Sequence, residues 1–396
     1  MPGALHQTKV LDLSRYIAGP YCAQLLGDLG ADVVKVERFD GGEEGRRIGD
    51  AVGTETLFFM SANRNKRSLT LDFRNPESQA LLRRLAGEAD ILIENFRPGT
   101  MEKMGCGWDE LSAINPRLVM VRITGFGQNG PLAQHPCFDG AAQALGGIMS
   151  MTGQPDGRPT MAGVFVCDYT TAIYGALAAV AALQARERTG RGQVVEATLL
   201  DSALSMLTTA IPEKALFDRE PDRLGNRDRY LAPSHCFSSQ DGVWIYVVAG
   251  NDHHFSRLAD AMEMPDLKSD KRFSNYLARN AHVAELERII DHWGQTLTGD
   301  QIFERLRKAD IPCERLSTIA DLLDHPHLKD RQQIVDVPHP DGGTVPFQAP
   351  PFRLSDTPES IRHGAPALGD HSQDVLQEWL GLSPHDVSDL RSENII

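Results

Sequence analysis

At 396 residues the chain is longer than a single core usually fills, and at 41% hydrophobic and 24% charged it has the composition of an ordinary globular protein. A formal net charge of −14 argues against general nucleic-acid binding, because a polyanion would have to be received by local basic clusters against the overall field. Six scattered cysteines without a CxxC pair and thirteen histidines without ligand-like spacing point to neither a disulfide framework nor a metal site, so small-molecule partners and a reducing cytoplasm are expected.

The N-terminus lacks the basic-then-apolar pattern of a signal segment, and the longest apolar run, around Gly175–Leu183, falls short of the ~20 residues of a membrane span. A soluble, unprocessed protein is expected. Val10–Leu13 reads as a strand, Pro20–Leu29 as a helix and Asp32–Glu37 as a second strand, which makes a βαβ unit. The intervening Ser14–Pro20 has no GxGxxG, so the familiar dinucleotide reading is discounted. A helix over Pro76–Gly87 and strands at Ile91–Glu94 and Leu118–Thr124 continue the alternation. The loops that follow, Asn95–Gly99 and Gly125–Pro131, fall where open parallel sheets bind ligands.

Pro159–Cys167 then leads to Asp168, and the Ala/Leu-rich Tyr169–Leu183 reads as a buried helix. An Asp at this junction reads as an N-cap. The sharper reading is a carboxylate that the helix N–H groups and dipole keep ionised, ready to act as nucleophile or base. Thr189-Gly190 stops the helix, Gln193–Thr198 is a strand and Leu199–Ala210 another helix.

These elements make a first domain over 1–213. The charged stretch 214–229, with Pro221 and Gly225, reads as a linker. Residues 230–325 are expected to form a smaller α/β domain: strand Val243–Ala249, loop Gly250–His253, helix Phe255–Met262, and helices near Val283–Gln295 and Asp300–Ala309. Residues 326–396 link back toward the first domain through the amphipathic Leu368–Leu380.

Basic residues gather in the first half, at strand ends and in loops: Arg38, Arg46-Arg47, the run Asn63–Ser68, Arg74, Arg97 and Lys103. Singly they read as solvated surface; together they would suit a ligand with several phosphates, such as coenzyme A. Neither a G-x-S-x-G elbow nor a P-loop is present.

The strings Val10–Pro20, Gly27–Arg38, Asn63–Ser68, Glu94–Gly99 and Thr189–Gln193, in that order over nearly the whole chain, closely resemble the class III CoA-transferases. The resemblance implies a Rossmann-like large domain built from both chain ends, a smaller α/β domain and an interlocked homodimer. It makes Asp168 the catalytic residue that becomes acylated. It puts Ile17, Ala18, Arg38, Leu71, Asp72, Phe73, Arg74, Asn95, Phe96, Arg97, Lys103, His135 and Phe138 at the coenzyme A site. Ile17 stands where formate-handling members carry glutamine, and Gly250-Asn-Asp-His-His254 replaces their glycine-rich loop. The acceptor implied is therefore a small dicarboxylate such as succinate or glutarate, with Arg15, Asp139, Arg227, Arg229, Asn251 and His253 as candidates to hold it. An α-methylacyl-CoA racemase would use Asp168 as a base beside a histidine, but the matching segment Cys137–Gly140 offers Phe138 instead. A CoA-binding subunit without catalysis would need Asp168 only as a cap.

Overall fold

The computed structural model describes residues 2–396. Strands β1 (Lys9–Asp12), β2 (Asp32–Glu37), β3 (Lys66–Thr70), β4 (Ile91–Glu94), β5 (Val119–Thr124) and β6 (Val194–Thr198) form one sheet in the order β3-β2-β1-β4-β5-β6. Every neighbouring pair is parallel. This is the Rossmann strand order, which reverses direction between β1 and β4.

Side chains alternate between two cores, as the two-residue period of a strand requires. Val10, Ile91, Val119 and Val121 face one layer with α1 (Ala18–Asp28) and α4 (Val166–Thr189). Leu11, Val34, Leu92 and Met120 face the other, with α2 (Pro76–Glu88) and the late helix Ser372–Leu380. That late helix sends Val375, Leu376 and Trp379 into the second core, and Trp379 Nε1 donates to Asp32 Oδ2 at 3.0 Å.

Helix α4 runs well past the apolar run seen in sequence. At 24 residues it is long and apolar enough, by length and composition, to cross a membrane. One face is nonetheless in the core through Ala172, Ala179 and Ala182. The helix ends as expected at Gly190, whose φ of 70° is the left-handed conformation that glycine adopts without a Cβ penalty.

β3 replaces part of the expected basic surface. Lys66 is fully buried and donates to Asp12 Oδ2 at 2.8 Å. Arg64 pairs with Asp28 at 2.7 Å, while Arg46 pairs with Glu37 at 2.7 Å and Glu55 at 2.6 Å. These cations are held by acidic partners within the fold, so the proposed phosphate cluster shrinks to its exposed members.

The chain divides into two compact units. The larger takes the chain through Ile148, Met161–Ile211 and Lys329–Ile396; the smaller takes Met149–Thr160 and Pro212–Leu328. The smaller unit has a three-stranded antiparallel sheet with Trp244–Val248 between Ser234–Ser238 and Cys313–Arg315. Helices Asp252–Ala261, Val283–Gly294 and Gly299–Lys308 close its core around Phe237, Ile245, Ile290, Trp293 and Ile302.

Candidate active site

The crevice beyond the carboxyl ends of β1 and β4 is where an open parallel sheet receives ligands. Two loops meet there. Asn95, after β4, ties them together: its Oδ1 accepts Arg15 N–H at 2.8 Å and its Nδ2 donates to the Arg15 carbonyl at 2.7 Å. Beneath the loop after β1, Lys35 Nζ donates to the Ser14 carbonyl at 2.8 Å and lies 2.9 Å from Glu43 Oε1. Glu43 Oε2 in turn accepts Tyr16 N–H at 2.7 Å. Burial alone would raise the pKa of Asp12, but Lys35 and Lys66 beside it bring it down to about 2.

This buried ionic frame holds Tyr16 at φ 68°, a conformation a non-glycine residue keeps only when its surroundings enforce it. The Tyr16 ring meets Phe138 edge-on, with centroids 5.3 Å apart. The chain then turns directly into α1, which requires Gly19: a Cβ there would stand 2.2 Å from Ser14 Cβ. The N–H groups of Ile17, Ala18 and Gly19 find no acceptor among the described residues, and no side chain caps this helix end.

Arg15, Tyr16, Ile17, Ala18, Asn95, Phe96, Arg97, His135, Cys137, Phe138 and Asp168 line a cavity of about 250 Å³. Asp168 is the one carboxylate among the described residues of its wall. Helix α4 starts at Val166 with Phe165 at the N-cap position, so Asp168 is its third residue and does not cap it. The capping oxygen comes from Asp139, at the start of α3 (Asp139–Leu145): its Oδ2 accepts Cys167 N–H at 2.7 Å and Asp168 N–H at 3.1 Å. Asp139 is only 3% exposed, and its other oxygen accepts a hydrogen bond from Gln143.

The expectation that the helix end keeps Asp168 firmly ionised is therefore corrected. The donors of that end are taken by Asp139, and burial together with the charge of Asp139 raises the Asp168 pKa to about 7. The Cys137 thiol in the same wall is pushed up to about 11 by burial, Asp168 and Asp139, so it stays protonated.

The remaining expected residues divide by location. Arg38 and Phe73 line a smaller cavity of about 70 Å³ with Arg15, Phe96 and Glu44. Leu71 is wholly inside the core, and Asp72 accepts Arg74 N–H at 3.0 Å. Arg74 and Lys103 are exposed and line neither cavity. Arg227, Arg229, Asn251 and His253 belong to the smaller unit. There Arg227 is paired with Glu287, and Arg229 donates to the Asp222 carbonyl at 2.9 Å. Asn251 caps the helix Asp252–Ala261 through His254 N–H at 2.7 Å, and His253 is exposed in its first turn. No group of three or more potential metal ligands comes together among the described residues.

Sequence reading missed Lys35, Glu43 and Glu44. The one signal was the adjacent acidic pair behind Gly41-Gly42, just beyond the end of β2.

Residues 5–372 match the profile of CoA-transferase family III. A succinyl-CoA–D-citramalate CoA-transferase of Chloroflexus aurantiacus is 40% identical over 396 residues, covering 100% of this chain and 98% of that protein. The succinyl-CoA–L-malate CoA-transferase beta subunit of the same organism is 39% identical, over 98% and 97% of the two chains. The crystal structure of a CaiB/BaiF family protein from Brucella suis superposes with a TM-score of 0.85 at 35% identity, over 96% of this chain and 100% of that one. With a family match over nearly its full length and the Asp168 cavity at the switch point of its sheet, the chain belongs to CoA-transferase family III and is an enzyme that works on CoA thioesters.

Proposed function

We propose that this enzyme moves CoA from a succinyl-CoA-type donor to a small dicarboxylic acid through acylation of Asp168. What carries the reading is Asp168 itself, the one carboxylate among the described residues that line its cavity. The ionised Asp168 attacks the thioester carbonyl; the C–S bond breaks and CoA leaves as thiolate, giving a mixed anhydride. The thiolate then attacks the Asp168 carbonyl and releases the donor acid as its carboxylate. The acceptor carboxylate attacks the resulting aspartyl thioester, freeing thiolate and forming a second anhydride. Thiolate attack on the acceptor's acyl carbon yields the new acyl-CoA and restores Asp168.

Each attack builds an oxyanion, and the unpaired N–H groups at the start of α1 in the same wall are suited to receive it. Arg15, with half-exposed guanidinium in this wall, is the group for the acceptor's distal carboxylate. The relatives named for citramalate and malate support a dicarboxylate.

We assign the uncovered apolar face of α4 to a second copy of this chain: Ile173 is 50% and Leu177 64% exposed. Light scattering from nanomolar to micromolar protein tests this, with a dimer expected throughout. Hydroxylamine trapping in the presence of succinyl-CoA, read by mass spectrometry, is expected to place the adduct on Asp168. Full turnover without any adduct there would refute the covalent route.

A further inference from the structure

Two adjacent glutamates beside the loop after β1 do different work. Glu43 is buried and fixed between Lys35 and the Tyr16 N–H. Glu44 faces outward, its side chain 29% exposed, and sits between two arginines. Arg15 Nη1 lies 3.2 and 3.3 Å from its two oxygens, and Arg38 Nη2 lies 3.7 Å from one of them. Arg38 is oriented as well by its Nε, which donates to the Gly42 carbonyl at 2.7 Å. All three side chains line the smaller cavity, and Arg15 and Phe96 belong to its wall and to that of Asp168.

A guanidinium pair this exposed is the natural seat for a phosphate, whose oxygens match its fork better than one carboxylate does. Here the seat is already occupied by a carboxylate of the chain. We propose that Glu44 is a resident competitor for the phosphates of CoA: it holds Arg15 and Arg38 in the empty enzyme, must be displaced when the thioester enters, and returns to hasten its departure. The inference rests on the reading of this crevice as the CoA site. It gives a physical use to a carboxylate that otherwise repels the ligand. An enzyme that must release one thioester and admit its partner acid gains from a seat that is not too tight. With the phosphate settled on Arg38, the displaced Glu44 also leaves Arg15, whose guanidinium then serves the distal carboxylate of the acid beside Asp168.

The test is calorimetric binding of CoA, dephospho-CoA and pantetheine to the wild-type dimer and to Glu44→Gln, which keeps the side chain's shape and removes its charge. Glu44→Gln is expected to bind CoA roughly 2–5-fold tighter, the range an exposed ion pair allows, with slower dissociation in stopped flow and a lower KM for the acyl-CoA. Pantetheine, which has no phosphate, should bind both proteins alike. The gain persists with dephospho-CoA if Glu44 competes with the pyrophosphate, and disappears if it competes with the 3′-phosphate. Unchanged or weaker CoA binding by Glu44→Gln would show that Glu44 aligns the arginines and does not compete, and so overturn the proposal. Equal tightening with pantetheine would overturn it too. Absence of CoA binding by the wild-type enzyme would instead bring down the site reading itself, and this inference with it.

Discussion

Two helices begin at the same cavity, and their first turns are treated in opposite ways. At α1 the N–H groups of Ile17, Ala18 and Gly19 find no acceptor among the described residues, while at α4 those of Cys167 and Asp168 are filled by Asp139. An open helix end attracts whatever negative charge arrives; a filled one has little left to offer. The open end therefore suits charge that appears only during reaction, and the filled end withholds stabilisation from Asp168. A carboxylate held too firmly as an anion would be a poor nucleophile, and one held near pKa 7 is still available at neutral pH.

The largest effect should come from removing the carboxylate proposed as nucleophile between these two ends. Asp168→Ala is expected to lower kcat by roughly 10³-fold or more while CoA affinity, measured by calorimetry, stays within a few-fold, because the proposed phosphate seat at Arg15 and Arg38 is left intact. Retained turnover would assign the chemistry to another group and reduce Asp168 to part of a helix start.

Next is the open end. Gly19→Ala places a Cβ against Ser14, so either the loop after β1 or the first turn of α1 must shift. A displacement of even about 1 Å at the donors should cost roughly 10–100-fold in kcat. Circular dichroism should remain native, since the contact is local. Wild-type kcat in this variant would remove α1 from the oxyanion role.

The filled end is tested by charge. Asp139→Asn can keep an oxygen on the two N–H groups but loses the negative charge beside Asp168. Activity should rise with pH through about 7 in the wild type, because the proposed route needs Asp168 ionised. In Asp139→Asn that rise should move about one pH unit lower. Asp139→Ala, which also removes the cap, should in addition cost about 1 kcal/mol of stability. A rise that stays in place would mean that burial alone sets the Asp168 pKa.

The difference between the two ends also marks what the sequence could show. The strands Asp32–Glu37 and Ile91–Glu94 were legible to the residue, because short valine-, isoleucine- and leucine-rich stretches with charged flanks read as buried strands even with Lys35 inside the first. β3 was not, since Lys66-Arg67-Ser68 looks like solvated surface until Asp12 is seen to bury the lysine. Asp168 stood out through its position before an Ala-rich helix. Its cap partner did not, because Asp139 lies 29 residues upstream and only the packing of α3 on α4 brings its oxygen to the helix end. Nor could the buried frame of Lys35 and Glu43 be read, because an ion pair between a strand and the turn after it leaves no periodic trace. The basic residues were counted correctly, yet most of those in β3 and its approach serve the fold. Composition reports charge, while only geometry reports which charge is already neutralised.

The smallest expected effect asks the filled end to report on stability. The ordinary Asp value is 3.8, and burial with the neighbouring Asp139 raises Asp168 to about 7 in the folded protein. Such a group favours folding only in its protonated form: its contribution is fully present below pH 4 and is lost as pH rises through 7. Asn cannot ionise, so Asp168→Asn keeps the neutral form at every pH. The variant and the wild type should melt together near pH 4. The gap should open in favour of Asn between pH 4 and 7 and stay level above, reaching about 2–4 °C at pH 8 once partial exposure is allowed for. Scanning calorimetry across that range checks it. If the helix end instead held Asp168 as a stabilised anion, the sign would reverse and Asn would melt earlier at pH 8. The direction of a few degrees in Tm thus distinguishes a carboxylate that the fold merely tolerates from one that the fold holds in place.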